Sequence, residues 1–253
     1  MVNETVFPST EEFDRKLSEI FEENQLSHFL NDRSRDLFYR FTRTLWETNK
    51  NLNLTALTSI PDMILKHLAD SLLIAPHLAE GATVIDVGCG GGFPTFPLAI
   101  ARPDLRITAL DSTEKKICFV RSTAHSLGLS NVTAICGRAE DLAKGDMREF
   151  FDHATARAVA ALPILCELCI PFVKPGGSFV AMKSLRIDEE LAAAKKKDLF
   201  SLLGGESTPV IHTPKLTSNG EDLFRCIAVT KKLTPTPPKY PRAYTQIVKS
   251  NKA

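Results

Sequence analysis

A glycine-rich segment from Asp86 to Pro94 contains the residue types and spacing that most directly predict chemistry. Gly88, Gly90 and Gly92 stand at alternate positions between a β-branched run and a helical pattern. Because glycine has no Cβ, the backbone of such a turn can press against a flat or zwitterionic ligand. Amide groups at the following helix N-terminus can hold a carboxylate. A cofactor that carries an amino-acid carboxylate and an adenosine, such as S-adenosylmethionine, suits this turn, and the alternative is a glycine-rich turn without a ligand.

The same segment argues against a nicotinamide dinucleotide. That fingerprint needs a third glycine three positions after its second one. Phe93 occupies this position, and a register that starts at Gly90 places Thr95 there instead. A nicotinamide oxidoreductase is therefore disfavoured.

Acidic residues after the next two predicted strands suit a nucleoside. Asp111 ends the second strand, 19 residues after Gly92, and its carboxylate can accept two hydrogen bonds from a ribose diol. A helix-capping role for Asp111 is the alternative, and it is compatible with the first. After the third strand, a backbone amide and an acidic side chain within 137–141 could contact an adenine edge.

Alternating strands and helices must position these residues. The predicted strands are 83–87, 107–110, 132–136, 154–156, 178–182, 210–212 and 224–230, the last two separated by a turn at 218–220. The predicted helices between them are 97–101, 115–127, 142–149 and 162–172. Strands separated by helices predict an α/β fold with a mainly parallel, doubly wound sheet.

The two ends of the chain differ from this middle part. Helical patterns cover the first sixty residues, with Thr10 as a candidate cap and a second helix at 37–48, and a third helix is predicted at 61–78. The segment after Lys232 contains four prolines and predicts extended or irregular chain rather than a helix. We therefore divide the chain into a helical cap (1–60), a central domain (61–232) and a basic, proline-rich tail (233–253).

The charge distribution is uneven although the 253 residues carry a formal charge of only +1. Residues 1–60 hold 7 basic and 10 acidic side chains, whereas residues 231–253 hold 6 basic and no acidic ones. The total excludes a histone-like protein, and the basic end could face a polyanion or be solvated chain. The six cysteines include one C-x-x-C pair, Cys166 and Cys169, but no second Cys or His pair at metal-ligand spacing, so no metal is expected. The absence of a secretory or membrane-spanning pattern predicts a cytoplasmic protein with reduced thiols.

Motifs along most of the chain give a more specific identification. In order, they are Asn53-Leu54-Thr55, His67 with Asp70-Ser71-Leu72, the glycine segment with Gly92-Phe93-Pro94, Pro97-Leu98-Ala99-Ile100, Asp111-Ser112 with Lys115-Lys116, Arg138-Ala139-Glu140, Arg157-Ala158, Lys174 to Gly177 with Met182-Lys183, and Lys239-Tyr240-Pro241-Arg242. This combination, which runs from about residue 40 to 242, resembles the bacterial 16S ribosomal RNA guanine-N7 methyltransferase family (methyltransferase G, glucose-inhibited division protein B).

The resemblance implies a Rossmann-like class I methyltransferase fold, with a seven-stranded, mostly parallel sheet whose last strand is antiparallel. It implies methyl transfer from S-adenosyl-L-methionine to N7 of a guanine in the 530 loop of 16S ribosomal RNA. The expected partner is this RNA or the small ribosomal subunit particle, bound by a monomer without a membrane. The alternatives are methylation of another RNA, and a nonenzymatic RNA-binding protein that retains the fold.

The resemblance also implies which residues form the site. The expected cofactor-binding residues, including the glycines and Asp111 argued above, are Gly88, Gly90, Gly92, Phe93, Asp111, Ala139, Glu140 and Arg157. The expected substrate-binding residues are Lys183, Lys239 and Arg242. No catalytic residue is expected, since guanine N7 has a lone pair and no proton, so its attack on a sulfonium methyl needs no general base.

Several roles stay open. Arg157 could bind the cofactor carboxylate or an RNA phosphate through its planar fork, or form a salt bridge to Asp86 or Asp111. His67 and Asp70 could line the cofactor pocket or pack a helix. Further basic residues that could contact RNA, most of them expected to be solvated, are Arg102, Arg106, Lys115, Lys116, Arg121, Arg186, Lys195 to Lys197, Lys231 and Lys232.

Two features depart from the family. Thr95 stands where the family usually has glycine, and residues 243–253 replace the usual glycine- and proline-containing ending.

Overall fold

The computed structural model describes residues 6–184, 187–218 and 220–251. Its strands are β1 (Thr83–Val87), β2 (Arg106–Asp111), β3 (Val132–Cys136), β4 (Phe151–Arg157), β5 (Val173–Lys183), β6 (Val210–His212), β7 (Lys215–Ser218), β8 (Glu221–Phe224) and β9 (Cys226–Lys231). Within the described residues, seven of them form one sheet in the order β3-β2-β1-β4-β5-β9-β6, and β7 pairs with β8 in a separate hairpin.

Strands β1 to β5 are parallel, and β9 lies antiparallel between β5 and β6. The predicted fold is confirmed, including the antiparallel direction of the last strand. Strands β1, β3 and β6 have the predicted bounds, whereas β2, β4 and β5 are longer than predicted. The β7–β8 hairpin was not predicted.

The helices are α1 (Thr10–Glu23), α2 (Asp32–Leu52), α3 (Ile60–Met63), α4 (Asp70–Leu72), α5 (Thr95–Ala101), α6 (Glu114–Leu127), α7 (Ala139–Leu142), α8 (Leu162–Cys169), α9 (Ile187–Lys196), α10 (Leu199–Leu202) and α11 (Tyr244–Asn251). A π-helical segment, Ile64–Ala69, joins α3 to α4. Short 3₁₀ turns cover Ser27–Phe29, Ala75–His77 and Ile170–Phe172. None of the helices in the described part of the chain is long and apolar enough to cross a membrane.

Both faces of the sheet are covered, as a parallel sheet requires. Successive residues of β1 show this, since Val84 belongs to one buried apolar cluster and Ile85 to another. The Val84 cluster continues into α1 and α2 through Phe13 and Phe41, and α2 packs against α5 and α6. The N-terminal helices therefore share a core with the sheet.

Three local predictions were wrong. The cap of α1 is Ser9, whose side chain accepts a hydrogen bond from the Glu12 amide at 3.2 Å, and Thr10 is the first helical residue. The predicted helix at 142–149 is a series of turns, because Gly145 disfavours a helix and Glu149 has a φ of +52°. The third helix ends at Leu72 and contains the π-helical segment.

The prediction of an irregular tail was wrong for its last part. Tyr244 to Asn251 form helix α11, since the prolines end at Pro241 and this stretch contains neither proline nor glycine. Ile247 has no exposed surface, and α11 packs against α8. Burial of an apolar side chain thus stabilises a helix too short to form alone.

Candidate functional site

Two cavities open at the carboxyl ends of the parallel strands, where ligands bind in open α/β sheets. Cavity A, of about 310 Å³, lies between the ends of β1, β2 and β3 and the start of α7. Cavity B, of about 430 Å³, lies between the π-helical segment and the ends of β4 and β5. Ala158, which follows β4 with a φ of +56°, lines both cavities. The two cavities are therefore adjacent and share Ala158 as a common wall residue.

The glycine turn forms one wall of cavity A. Gly88 lines the cavity with a φ of +76°, a conformation that L side chains rarely adopt. A Cβ at Gly88 would lie 2.5 Å from Val159 Cγ2, so a side chain there would require Val159 to shift. Gly90 and Gly92 build the turn rather than line the cavity: the Gly90 amide binds Asp111, and Gly92 packs against Phe96.

Asp111 is held with its carboxylate at cavity A. Oδ2 accepts a hydrogen bond from the Gly90 amide at 3.1 Å, and Oδ1 accepts one from the Thr113 amide at 2.9 Å. The Lys116 Nζ lies 3.9 Å from Oδ2. A carboxylate oxygen has two lone pairs, so these bonds leave acceptor capacity on both oxygens for a ribose diol. The residues of cavity A fit a nucleoside cofactor.

The far wall of cavity A contains Ala139 and Glu140, so four of the residues expected to bind the cofactor, Gly88, Asp111, Ala139 and Glu140, line one cavity. Glu140 is buried, and its Oε1 accepts a hydrogen bond from Arg138 Nε at 2.9 Å. Tyr244 from α11 closes this side, and its ring centroid is 4.5 Å from the Arg138 guanidinium carbon. Sequence reasoning missed Tyr244, because the family motifs end at Arg242.

Arg157 points to cavity B rather than cavity A, and the alternative of a salt bridge to Asp86 or Asp111 is not the one found. Its Nη1 donates to Asp70 Oδ2 at 3.0 Å and to the Lys66 carbonyl at 2.9 Å. Arg225 Nε donates to the other oxygen of Asp70 at 2.6 Å. One buried carboxylate thus orients two guanidinium groups at the wall of cavity B.

His67 lies against this arrangement and is neutral. Its Nδ1 is 3.1 Å from Arg157 Nη2, which can only donate, so Nδ1 accepts and Nε2 carries the proton. Nε2 then donates to Thr55 Oγ1 at 2.6 Å. Burial, and secondarily the charge of Arg157, lower the pKa of His67 to about 3. His67 and Asp70 both line cavity B, and neither lines cavity A, the cavity that fits a nucleoside.

Phe93 connects the glycine turn to this wall. Its ring stacks on His67 with a centroid distance of 4.2 Å, and the Arg157 guanidinium carbon is 5.0 Å from its centroid. Phe93 does not line cavity A. Of the residues expected to bind the cofactor, Phe93 and Arg157 therefore stand on the cavity B side.

The three residues expected to bind the substrate are dispersed. Lys183 lines cavity B, where its Nζ donates to the Ala160 carbonyl at 2.9 Å and pairs with Glu190 at 2.6 Å. Lys239 is exposed and lies beside the Tyr240 ring, outside both cavities. Arg242 is also outside them, and its Nη2 pairs with Glu167 at 2.6 Å.

Among the other basic candidates, Lys232 is not a surface residue. It is 2% exposed, and its Nζ donates to the Ile170 carbonyl at 3.1 Å. Arg102 pairs with Asp104 at 2.7 Å, and Arg186 lies outside the described residues. In the part of the chain that the structure describes, no cluster of His, Cys, Asp and Glu could hold a metal ion.

Comparison with known proteins identifies the family. The profile described as GidB, rRNA small subunit methyltransferase G, matches residues 34–218. A protein named Ribosomal RNA small subunit methyltransferase G from Deinococcus radiodurans is 46% identical over 208 residues, which cover 81% of this chain and 80% of that protein. The protein of the same name from Lactobacillus delbrueckii subsp. bulgaricus is 42% identical over 210 residues, with coverage of 81% and 86%.

Solved structures show the same fold. The O-methyltransferase from Bacillus cereus in complex with SAH superposes with a TM-score of 0.55 and 18% identity, covering 88% of this chain and all of that one. TYW2 from M. jannaschii in complex with AdoMet has a TM-score of 0.52 and 16% identity, covering 66% and 76%. The family predicted from the motifs is thus confirmed: the chain belongs to the S-adenosylmethionine-dependent rRNA small subunit methyltransferase G family.

Proposed function

We propose that this protein transfers a methyl group from S-adenosyl-L-methionine to N7 of a guanine in the 530 loop of 16S ribosomal RNA. Cavity A holds the cofactor and cavity B receives the guanine. The observation that carries this assignment is that Ala158 lines both cavities. A methyl group at the Ala158 end of cavity A can therefore meet a base bound in cavity B. The cofactor, when bound, supplies an electrophilic methyl group on a sulfonium.

Different residues of cavity A bind different parts of the cofactor. Asp111 accepts hydrogen bonds from the ribose, and Ala139 and Glu140 contact the adenine side. Gly88 lets the backbone approach closely. Arg157 and Phe93 stand beyond the Ala158 boundary and contact the methionine end, while Asp70 and the Lys66 carbonyl hold Nη1 of Arg157 in place.

The charged side chains of cavity B lie near a base that gains positive charge. Guanine N7 becomes cationic on methylation, so a nearby cation opposes the transition state unless an anion offsets it. His67 is neutral and Lys183 pairs with Glu190, whereas Arg157 and Arg225 share the single carboxylate of Asp70, which offsets only one of their two positive charges. Leu73, Met182 and Ile227 add apolar surface that excludes water. The main contribution of the protein is then alignment of N7 with the methyl group, an effect that reaches about 7–11 kcal/mol.

Methylation assays test this proposal. The protein is incubated with tritiated S-adenosylmethionine and with 30S subunits or naked 16S RNA from cells that lack its gene. Borohydride reduction and aniline cleavage then map 7-methylguanine in the RNA. Cleavage at one guanine of the 530 loop is expected, and label at another position or in another RNA would overturn the assigned target.

Calorimetry separates the enzyme from a nonenzymatic RNA-binding protein with the same fold. The folded protein is titrated with S-adenosylmethionine in the absence of RNA, and saturable binding is expected. Absence of binding by folded protein would contradict the methyltransferase mechanism. The proposal includes action in the cytoplasm as a monomer, and light scattering of the purified protein tests the monomeric state.

A further inference from the structure

We propose that Tyr244 is a cofactor-binding residue: its ring forms the wall of cavity A against which the adenine of the cofactor stacks. This inference rests on the assignment of cavity A to the cofactor. It gives the C-terminal segment a role in cofactor binding, beside the RNA contact that its positive charge suggested.

The position of the ring supports this role. Tyr244 lines cavity A together with Gly137, Ala139 and Glu140. Asp111 marks the place of the ribose, and the residues after β3 continue the cavity on the side of the adenine. Tyr244 is on this same side, because its ring lies 4.5 Å from the guanidinium carbon of Arg138.

The exposure of the ring also points to a ligand. Tyr244 remains 38% exposed, whereas Ile247, one helical turn further on, is completely buried. Val159, on the opposite wall beside Gly88, is likewise 39% exposed. Large apolar side chains left open on two walls of one cavity indicate that its occupant presents a flat apolar surface to them. A purine meets this requirement, since either face can stack on an aromatic ring.

Arg138 contacts both Glu140 in the cavity wall and the Tyr244 ring. Its Nε donates to Glu140 Oε1 at 2.9 Å, so the guanidinium cannot rotate freely. The same guanidinium lies against the Tyr244 ring. The three side chains therefore form a connected wall, in which Glu140 is buried and Tyr244 is open.

Helix α11 holds Tyr244 in place through contacts on both sides. Before the helix, Arg242 pairs with Glu167, a side chain with no exposed surface. At its end, Lys197 Nζ contacts the Ser250 carbonyl and donates to Asn251 Oδ1 at 3.0 Å. An aromatic side chain on such an anchored helix is pre-organised, which lowers the entropic cost of binding.

The test compares Tyr244→Ala and Tyr244→Phe with the wild type by calorimetry, without RNA. The ligands are S-adenosylhomocysteine and 5′-methylthioadenosine, which lacks the amino-acid end. Loss of a base stack is expected to weaken binding of both ligands about tenfold in Tyr244→Ala. Tyr244→Phe keeps the ring and is expected to stay within twofold of the wild type. Thr245→Ala, an exposed neighbour that does not line the cavity, is the matched control.

The outcomes distinguish this inference from the function on which it rests. If the wild type binds both ligands and folded Tyr244→Ala binds them equally well, the role of Tyr244 is overturned and cavity A remains the cofactor site. Weaker binding of S-adenosylhomocysteine alone would also overturn it, because adenine is common to both ligands. Tyr244→Leu, which keeps apolar bulk without a flat ring, provides a second variant, and wild-type affinity in this variant would contradict stacking. Wild-type protein that binds neither ligand would overturn the cofactor site itself.

Discussion

Thr95 donates two hydrogen bonds to one carboxylate oxygen of Asp86, from its hydroxyl at 2.6 Å and from its backbone amide at 3.2 Å. Neither side chain has any exposed surface, and the other Asp86 oxygen has no hydrogen-bond partner among the described residues. Asp86 lies in β1 and Thr95 begins α5, so the two bonds close the glycine turn between them. Glycine, which the family resemblance leads one to expect at position 95, could not form the hydroxyl bond.

Replacement of Thr95 by valine tests this closure. Thr95→Val keeps the shape of the side chain and removes the hydroxyl, which leaves a buried carboxyl oxygen with fewer donors. The free energy of unfolding is expected to fall by about 1–3 kcal/mol, measured by urea denaturation at pH 8. Thr95→Ser keeps the hydroxyl and is expected to lose less. Equal stability of the valine variant and the wild type would show that the hydroxyl bond contributes nothing.

The buried carboxyl also predicts a pH dependence. Burial, opposed by the Thr95 hydrogen bonds, raises the pKa of Asp86 to about 7 from its ordinary value of 3.8. A raised pKa means that the folded protein retains a proton that the unfolded chain has released, so stability falls as pH rises through about 7. Between pH 5 and 8 the wild type is expected to lose more stability than Asp86→Asn, which does not titrate. Parallel stability curves for the two proteins would refute this.

The parts of the fold set by local patterns were predictable from sequence. Strands 132–136 and 210–212 have their predicted bounds, because each is a short β-branched run. The glycine turn and Asp111 also lie where the alternation of strands and helices placed them. Helix 142–149 failed because an apolar pattern outweighed Gly145 in the prediction.

Long-range partners were not predictable. The choice of Asp70, rather than Asp86 or Asp111, as the partner of Arg157 depends on how the π-helical segment packs over β4. Local sequence also does not indicate that α11 returns to cavity A, since this depends on the burial of Ile247 against α8. The sequence identified Arg157 and Asp70 as candidate site residues, but their pairing depends on tertiary packing.

Asp111→Asn tests the ribose contact. An asparagine has one acceptor oxygen, so it cannot satisfy the Gly90 and Thr113 amides and bind a diol as the carboxylate can. Hydrogen bonds to a charged group contribute about 1.5–3 kcal/mol, so the Kd for S-adenosylhomocysteine is expected to rise at least tenfold. Asp104→Asn, at a carboxylate that pairs with Arg102 outside both cavities, is the control for a general effect on the fold. Unchanged affinity in Asp111→Asn would remove the ribose contact from the proposal.

Gly88 allows the effects of backbone conformation and of space to be separated. Gly88→Leu is expected to abolish cofactor binding, and Gly88→Ala to weaken it, because a Cβ meets Val159 and φ is +76°. The double variant Gly88→Ala/Val159→Ala removes the clash and keeps the backbone strain, so its affinity is expected to lie between those of Gly88→Ala and the single variant Val159→Ala, which removes the Val159 contact alone. Calorimetry with S-adenosylhomocysteine measures each Kd. Wild-type affinity in Gly88→Leu would exclude Gly88 from the site.

Lys239 and Arg242 are three residues apart, and the structure predicts opposite effects for their removal. Arg242→Ala leaves the fully buried Glu167 without its ion-pair partner, which is expected to lower the free energy of unfolding by about 3–5 kcal/mol. Lys239 is exposed, so Lys239→Ala is expected to leave the free energy of unfolding unchanged. If Lys239 contacts a phosphate, its removal is expected to reduce the slope of log Kd against log salt concentration by about 1. Urea denaturation and RNA affinity between 50 and 200 mM salt measure the two effects. A stable Arg242→Ala variant with weaker RNA binding would show instead that Arg242 acts on the RNA, because loss of the Glu167 pair would then cost nothing.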